Sequence, residues 1–313
     1  MRCLVTGCAG FIGSHLAEKL IQSGFEVIGI DSFTDYYDRR IKEANVQGLL
    51  NSGRFALIRE DLLSTDLDRL LEGVDYIFHH AAQPGVTASW GGRFETYLNN
   101  NILATQRLLE AAKKILLKSF IFASSSSVYG DCELPMREDR LLSPISPYGV
   151  SKLACENLCY SYWKNFGVPV VSLRYFTVYG PRQRPDMAFH KFIRAILKGE
   201  QITIYGDGNQ TRDFTYIEDA VNSNILVIEK NCSGEAFNIG GGTHIKVNEV
   251  VVLLERLIKK KALVRHINPQ KGDIRDTLAD IGKARARLDY DPGFDLVEGL
   301  KREIEWLKEI HKF

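Results

Sequence analysis

Along the N-terminal half, short unbroken apolar runs alternate with longer stretches whose apolar residues recur every three to four positions. Arg2–Thr6, Glu26–Ile30, Phe55–Ile58, Tyr76–His79, Phe120–Ala123 and Val170–Leu173 are too short for helices and lack polar alternation, so they read as strands buried on both faces. Ile12–Ser23, Tyr97–Lys118 and Tyr148–Phe166 carry helical apolar stripes instead. This alternation predicts the α/β class, a doubly wound parallel sheet with helices on both faces. Ser32–Gly53 has helical character but few apolar anchors and is expected to be a surface excursion after the second strand.

Beyond Thr177 the pattern loosens. Short strands such as Ile202–Tyr205 and Ala236–Asn238 alternate with helices, of which Asn248–Lys260 and Leu296–His311 are plainly striped. The expected division is a sheet domain over residues 1–176 and a smaller C-terminal α/β domain over 177–313, packed against the sheet edge, with the chain free to cross between them.

The 313 residues suffice for that arrangement, and 45% hydrophobic with 25% charged residues is the balance of a soluble globular protein. A net charge of +1 gives no global field for nucleic acid or an anionic membrane, so any phosphate recognition must be local. No apolar run approaches the ~20 residues that span a bilayer, and MRCLVTG passes straight into a strand without a leader pattern. Six cysteines without metal-finger spacing predict a reduced, cytoplasmic protein with no metal site.

Chemistry enters at the first strand end. Gly7, Gly10 and Gly13, with Phe11 and Ile12 opening a helical run, let backbone N–H groups approach a pyrophosphate at a helix N-terminus. Asp31 ends the second strand, 18 residues after Gly13, where a carboxylate accepts from an adenosine ribose and repels a 2′-phosphate. NAD is thereby favoured over NADP, although Arg39 and Arg40 leave NADP open. Asp61-Leu62 and Ala81-Ala82 occupy two further strand ends.

Tyr148 and Lys152 lie four apart on one helical face. A phenol ordinarily titrates near about 10, and a neighbouring ammonium and a cationic nicotinamide both favour its anion, which gives a usable base near neutrality. The fifth strand runs into Ser124-Ser125-Ser126-Ser127, placing a hydroxyl where it can share a substrate proton with the tyrosine. Convergence of the three features predicts an active site.

These residues sit in the motifs TGCAGFIGSH, HHAAQPGV, FASSSSVYG, SPYGVSK, RYFTVYGPRQRPD, YGDGNQTRDFTYIED and FNIGGG, which run along nearly the whole chain. The chain resembles the extended short-chain dehydrogenase/reductases of the nucleotide-sugar epimerase and dehydratase family. The resemblance implies a Rossmann-like NAD-binding domain, a nucleotide-sugar-binding C-terminal domain, and Ser125, Tyr148 and Lys152 as catalytic residues. It places Asn100 near the nicotinamide and Phe176 beside the cofactor. Tyr148 is implied to take a sugar hydroxyl proton while hydride passes to tightly held NAD, giving a 4-keto sugar that turns over and is reduced on its other face.

The family's 4,6-dehydratases carry Asp-Glu before Val-Tyr-Gly and its UDP-glucuronate decarboxylases a Glu; here Ser126 and Ser127 stand there, which favours plain 4-epimerisation. Thr177–Ala188, Asp35–Asp38 and His80–Val86, which includes Pro84, Gly85 and Val86, are similar to UDP-glucuronate 4-epimerases. Conversion of UDP-glucuronate to UDP-galacturonate is therefore expected, with Arg184 first and Arg182 second as bidentate partners of the C6 carboxylate. Tyr205, Arg212 and Arg275 are expected at the diphosphate and uridine. UDP-glucose/UDP-galactose 4-epimerase, UDP-glucuronate decarboxylase and a non-catalytic NAD-binding regulator remain alternatives. The family resemblance also implies a homodimer, with Leu108, Leu109, Ala112, Leu158 and Tyr162 on the interface.

Overall fold

A computed structural model describes residues 1–311. Six parallel strands alternate with helices: β1 (Arg2–Thr6), α1 (Phe11–Gln22), β2 (Glu26–Ile30), α2 (Arg39–Gln47), β3 (Phe55–Ile58), α3 (Leu67–Leu70), β4 (Tyr76–His79), α4 (Phe94–Tyr97), α5 (Ala104–Ala112), β5 (Ser119–Ser125), α6 (Pro147–Phe166) and β6 (Val170–Tyr175). The later chain adds β7 (Thr177–Tyr179), α7 (Ala188–Lys198), β8 (Gln201–Tyr205), β9 (Thr211–Arg212), β10 (Phe214–Tyr216) and α8 (Ile217–Ile228). It closes with β11 (Ala236–Ile239), β12 (Ile245–Lys246), α9 (Val247–Ile258), β13 (Leu263–Ile267), α10 (Gly282–Leu288) and α11 (Leu296–His311).

The main sheet has seven strands in the order β11-β6-β5-β4-β1-β2-β3, all parallel where paired. Its order reverses between β1 and β4, so the crevice at their carboxyl ends is the ligand position of an open α/β sheet. Cys3, Leu4, Val5 and Thr6 of β1 are all fully buried, which is why no polar alternation marks this strand. One face of the sheet is covered by α1, which contributes Phe11, Leu16, Ala17 and Leu20, and by α8. The other is covered by Leu108 and Leu109 of α5 with Cys155 and Cys159 of α6.

Beyond β6 the chain forms two-stranded sheets, β7 with β10, β8 with β13 and β9 with β12, and returns to the main sheet once, as β11 beside β6. No described helix is long and apolar enough to cross a membrane.

Several expectations change. β5 and β6 run past their apolar stretches because Ser124 pairs with Arg174 and Ser125 with Tyr175. Arg174 tolerates a buried strand position because Glu156 of α6 pairs with it at 2.8 Å, which a search for apolar runs does not register. The single helix expected over Tyr97–Lys118 is instead α4, a π-helical turn over Leu98–Leu103 and α5, which ends at Ala112.

The segment after β2 is not a surface excursion. Its helix α2 buries Lys42, Asn45 and Val46, and Asn45 Nδ2 donates to the Ala9 carbonyl at 3.0 Å. Leu108, Leu109 and Ala112, expected at a dimer interface, are fully or almost fully buried against the chain's own sheet beside Phe120 and Phe122. Their stripe is consumed by the core. Tyr162 is also buried, and Leu158 is partly so.

Candidate active site

A cleft of about 390 Å³ opens at the β1/β4 switch point, a volume suited to a small-molecule ligand. Gly7, Gly10, Phe11, Ile12 and Gly13 form its floor. Gly7 has φ +68°, and a Cβ there would lie 2.8 Å from the Ala81 nitrogen. A Cβ on Gly13 would overlap the Gly7 carbonyl oxygen. The turn therefore requires bare backbone at both positions, which leaves the start of α1 open to an anion.

Asp31 lines the cleft, and its carboxylate accepts from Ala9 N at 3.1 Å and Phe33 N at 2.7 Å. Those bonds fix it beside the glycine turn. Asp61 and Leu62 line the same end, as does Glu60. Arg39 and Arg40 are absent from the lining; Arg39 pairs with Glu43 and Arg40 with Asp38. At this end a different cation lines the cleft, Lys42, whose ammonium donates to the Thr34 carbonyl and hydroxyl, both at 3.0 Å. Burial lowers its pKa, with Asp31 and Asp35 opposing.

At the other end, Ala81, Ala82, Pro84, Gly85, Val86, Asn100, Phe176 and Thr177 line the cleft with Ser125, Ser126, Ser127, Tyr148 and Lys152. Ser146 caps α6 by accepting from Gly149 N at 3.1 Å, and Pro147 occupies its first turn. This cap fixes where Tyr148 leaves the helix. One turn on, Lys152 Nζ donates to the Ala123 carbonyl at 2.8 Å. Ser125 Oγ accepts from Ser127 N and donates to Ser127 Oγ, each at 3.2 Å. Strand, loop and helix thus deliver hydroxyl, phenol and ammonium to one wall.

The π-helical turn decides which asparagine faces in. Asn100 lines the cleft, whereas Asn101 is buried, accepting from Gln83 N at 2.7 Å and donating to Ser151 Oγ at 2.8 Å. The extra residue of such a turn is a common device at functional sites. Tyr97 stands edge-on to Tyr148 with centroids 6.2 Å apart, and its hydroxyl contacts the Pro84 and Gly85 carbonyls at 2.9 and 2.8 Å. Burial, with the nearby phenols of Tyr36 and Tyr148, pushes Tyr97 up to about 12, which keeps it a donor. Burial also lowers His79 to about 3 and His80 to about 4, so both are neutral at pH 7.

The four arginines expected at the substrate separate. Arg184 lines the cleft and holds Asp186 with Nε and Nη2 at 2.9 and 3.0 Å. Arg182 does not: its guanidinium points at α1, bonding Glu18 at 2.7 Å and Ser14 at 3.4 Å, away from the cleft lining. His15 Nε2 meets the Pro181 carbonyl at 2.9 Å, and Tyr36 donates to Asp186 at 3.2 Å. Pro181–Met187 consequently bridges from α1 to the β2–α2 loop.

Tyr205, Arg212 and Arg275 lie outside this lining. Arg212 bonds Asp273 at 2.7 Å and the Arg275 carbonyl at 2.8 Å, while Arg275 reaches Asp207 at 3.4 Å. Tyr205 is partly exposed, and its carbonyl accepts from Gln210 at 2.7 Å. The segment that carries Arg275 meets the stretch just after the lining residue Val86, where Lys271 O accepts from Trp90 Nε1 at 3.3 Å and Gln270 meets Thr87.

The residues fit a dinucleotide: a side-chain-free turn, an oriented carboxylate and a hydroxyl–phenol–ammonium wall share one cleft. The model of the NAD dependent epimerase/dehydratase family matches residues 3–240. The chain belongs to that family. Its fold and its NAD dependence are the family's. A Bacillus subtilis (strain 168) protein named "Uncharacterized UDP-glucose epimerase YtcB" is 49% identical over 100% of this chain and 99% of its own length. A UDP-glucuronate 4-epimerase of Thermodesulfobacterium geofontis (strain OPF15) is 40% identical over 98% and 96%. The crystal structure of a Bacillus cereus UDP-glucuronic acid 4-epimerase, in complex with UDP-glucuronic acid and NAD, superimposes with a TM-score of 0.97 at 48% identity, covering 99% of this chain and 100% of that one.

Tyr36, Tyr37, Lys42 and Met187 also line this family member's cleft, although reading the sequence gave them no role at the site. The Asp35–Asp38 run marked the neighbourhood of the first three, and the Thr177–Ala188 stretch that of Met187.

Proposed function

We propose that this chain inverts C4 of UDP-glucuronate to give UDP-galacturonate. The observation that carries the reading is the composition of the sugar end of the cleft. Ser125, Ser126, Ser127, Tyr148 and Thr177 share it with the cation Arg184, and no described carboxylate lines it; the nearest, Asp186, is held by the Arg184 guanidinium. The acids of the lining, Asp31, Glu60 and Asp61, belong to the β2 and β3 ends. Elimination or decarboxylation assisted by an acid–base carboxylate has no unpaired lining group there to use, whereas C4 oxidation and reduction on NAD need from the protein only a proton carrier.

When bound, NAD supplies reversible hydride transfer at the sugar carbon. Tyr148 takes the C4 hydroxyl proton and later returns one, Ser125 holds the hydroxyl, and Lys152 supplies positive charge beside the phenol. Gly7, Gly10, Phe11, Ile12 and Gly13 hold the pyrophosphate, and Asp31 the adenosine ribose. Asp61, Leu62, Ala81, Ala82, Asn100 and Phe176 complete the cofactor contacts. Pro84, Gly85, Val86, Ser126, Ser127, Thr177 and Arg184 take the sugar, with Tyr205, Arg212 and Arg275 toward the nucleotide. This divides the work between residues 1–176 and 177–313, with β11 crossing back.

The chain is further proposed to act in the cytoplasm as a homodimer. Its interface would use the outward sides of the π-helical turn and α6, where Leu98, Leu103 and Val150 are exposed. Light scattering gives the mass of the assembly.

The activity test is incubation with UDP-glucuronate, UDP-glucose and UDP-N-acetylglucosamine, with products assigned by NMR. Formation of UDP-galacturonate is the expected result. Inversion of UDP-glucose alone would assign the substrate of the UDP-glucose epimerases instead and leave the proton chemistry unchanged.

A further inference from the structure

Arg184 meets its ligand already paired. Asp186, two residues on, occupies the Nε–Nη2 edge of the guanidinium with bonds of 2.9 and 3.0 Å, and Tyr36 donates to that carboxylate at 3.2 Å from across the cleft. Nη1 makes no hydrogen bond to a described residue, so the outer edge of the fork is open. Only 20% of the Arg184 side chain and 33% of the Asp186 side chain is exposed, so solvent screens the pair weakly. Burial alone would raise the Asp186 carboxyl, but the guanidinium and its hydrogen bonds outweigh it and hold the carboxyl below its usual range. The pair is therefore charged, with no net charge of its own.

We propose that Asp186 is a positioning residue that fixes the guanidinium plane of Arg184 and weakens its hold on the C6 carboxylate, so that the oxidised sugar is free to turn between its two faces. This rests on the reading that the substrate is a UDP-hexuronate. Epimerisation through a ketone requires the ring to present first one face and then the other to the same hydride site. Its carboxylate must consequently leave one set of contacts and make another. An unopposed arginine in a half-buried cleft would stabilise the carboxylate strongly in one pose, which deepens the bound state without helping the turn. With Asp186 on its other edge, Arg184 still orients the acid by hydrogen bonding while the net field it exerts is small. A neutral sugar, lacking the carboxylate, is indifferent to this balance.

The test compares the wild-type enzyme with Asp186→Asn and Asp186→Ala on UDP-glucuronate and UDP-glucose. Initial rates are combined with calorimetric titration of UDP-glucuronate. Bound NAD content and melting temperature verify that the variants are folded. Both variants remove the charge, but only asparagine keeps an acceptor for Arg184, so agreement between them reports charge. The expected result is a KM and a dissociation constant for UDP-glucuronate lowered about 5- to 10-fold, with kcat lowered by a similar factor and the constants for UDP-glucose changed less than about twofold. A KM for UDP-glucuronate that stays constant or rises overturns the proposal, because Asp186 would then serve only to hold Arg184 in place. If the wild-type enzyme leaves UDP-glucuronate unchanged, the substrate reading itself has failed and this inference falls with it.

Discussion

The ammonium of Lys152 donates to the carbonyl of Ala123 at 2.8 Å, joining the helix that carries Tyr148 to the strand that ends in Ser125. Replacing it with an apolar side chain of similar length removes both the tether and the charge. Lys152→Met is expected to lower kcat by about 10²-fold or more. Single-turnover reduction of bound NAD by UDP-glucuronate checks this; a rate within about twofold of the wild type would reduce Lys152 to a tether.

The turn of the glycine loop is sterically closed at Gly13, where a methyl group meets the Gly7 carbonyl. Gly13→Ala should cost about 1–3 kcal/mol from overpacking and displace the start of α1. Thermal melting and the NAD retained after gel filtration should fall together.

Arg182 ties the Pro181–Met187 bridge to Glu18 of α1 at 2.7 Å, with side chains 24% and 30% exposed. Such a partly exposed pair contributes about 0.2–1 kcal/mol, so Glu18→Gln should speed NAD release only up to about fivefold. Stopped-flow displacement by a fluorescent NAD analogue measures it. An unchanged release rate would mean that the bridge does not retain the cofactor.

Arg174 and Glu156 form a buried pair joined by Tyr129, which accepts from Arg174 at 2.8 Å, and by the Ser124 hydroxyl, which donates to Glu156. Arg174→Ala strands a carboxylate beside the residue that precedes Ser125. A loss of about 3–5 kcal/mol is expected in urea unfolding. Arg174→Met with Glu156→Gln together should recover most of it.

Asp213 accepts from Gly241 N at 2.9 Å and Ala279 N at 3.0 Å, yet burial pushes its carboxyl up to about 6. The folded state thus binds this proton more tightly than the unfolded chain, whose aspartates titrate near about 3.9. The associated stability, about 3 kcal/mol, is complete below about pH 4 and is lost as pH rises through about 6. Asp213→Asn, which has no titrating group there, should be flatter across that window in urea unfolding, so its stability relative to the wild type rises by about 3 kcal/mol between about pH 4 and 7. Glu303, whose buried carboxyl is also raised, acts in the same direction in both proteins, so the difference between them isolates Asp213.

What the sequence determined by itself is local. Gly10 and Gly13 are demanded by a turn that brings both against the Gly7 carbonyl, Gly7 by its positive φ, and the 148–152 spacing is fixed by helix geometry. The parallel sheet is legible because both its faces are buried, so each strand is an apolar run. Tertiary structure decided where long side chains point. Arg182 and Arg184 are two residues apart in one motif, but one turns to Glu18, 164 residues away in sequence, while the other faces the cleft. A π-helical turn selects Asn100 over Asn101, and Glu156 makes Arg174 acceptable inside a strand. The stripe of Leu108 and Leu109 signals burial without saying whether its own sheet or a second subunit covers it. For Arg182, Arg174 and the leucine stripe the deciding partner lies outside the local segment, and its contact energy depends on a distance that only folding creates.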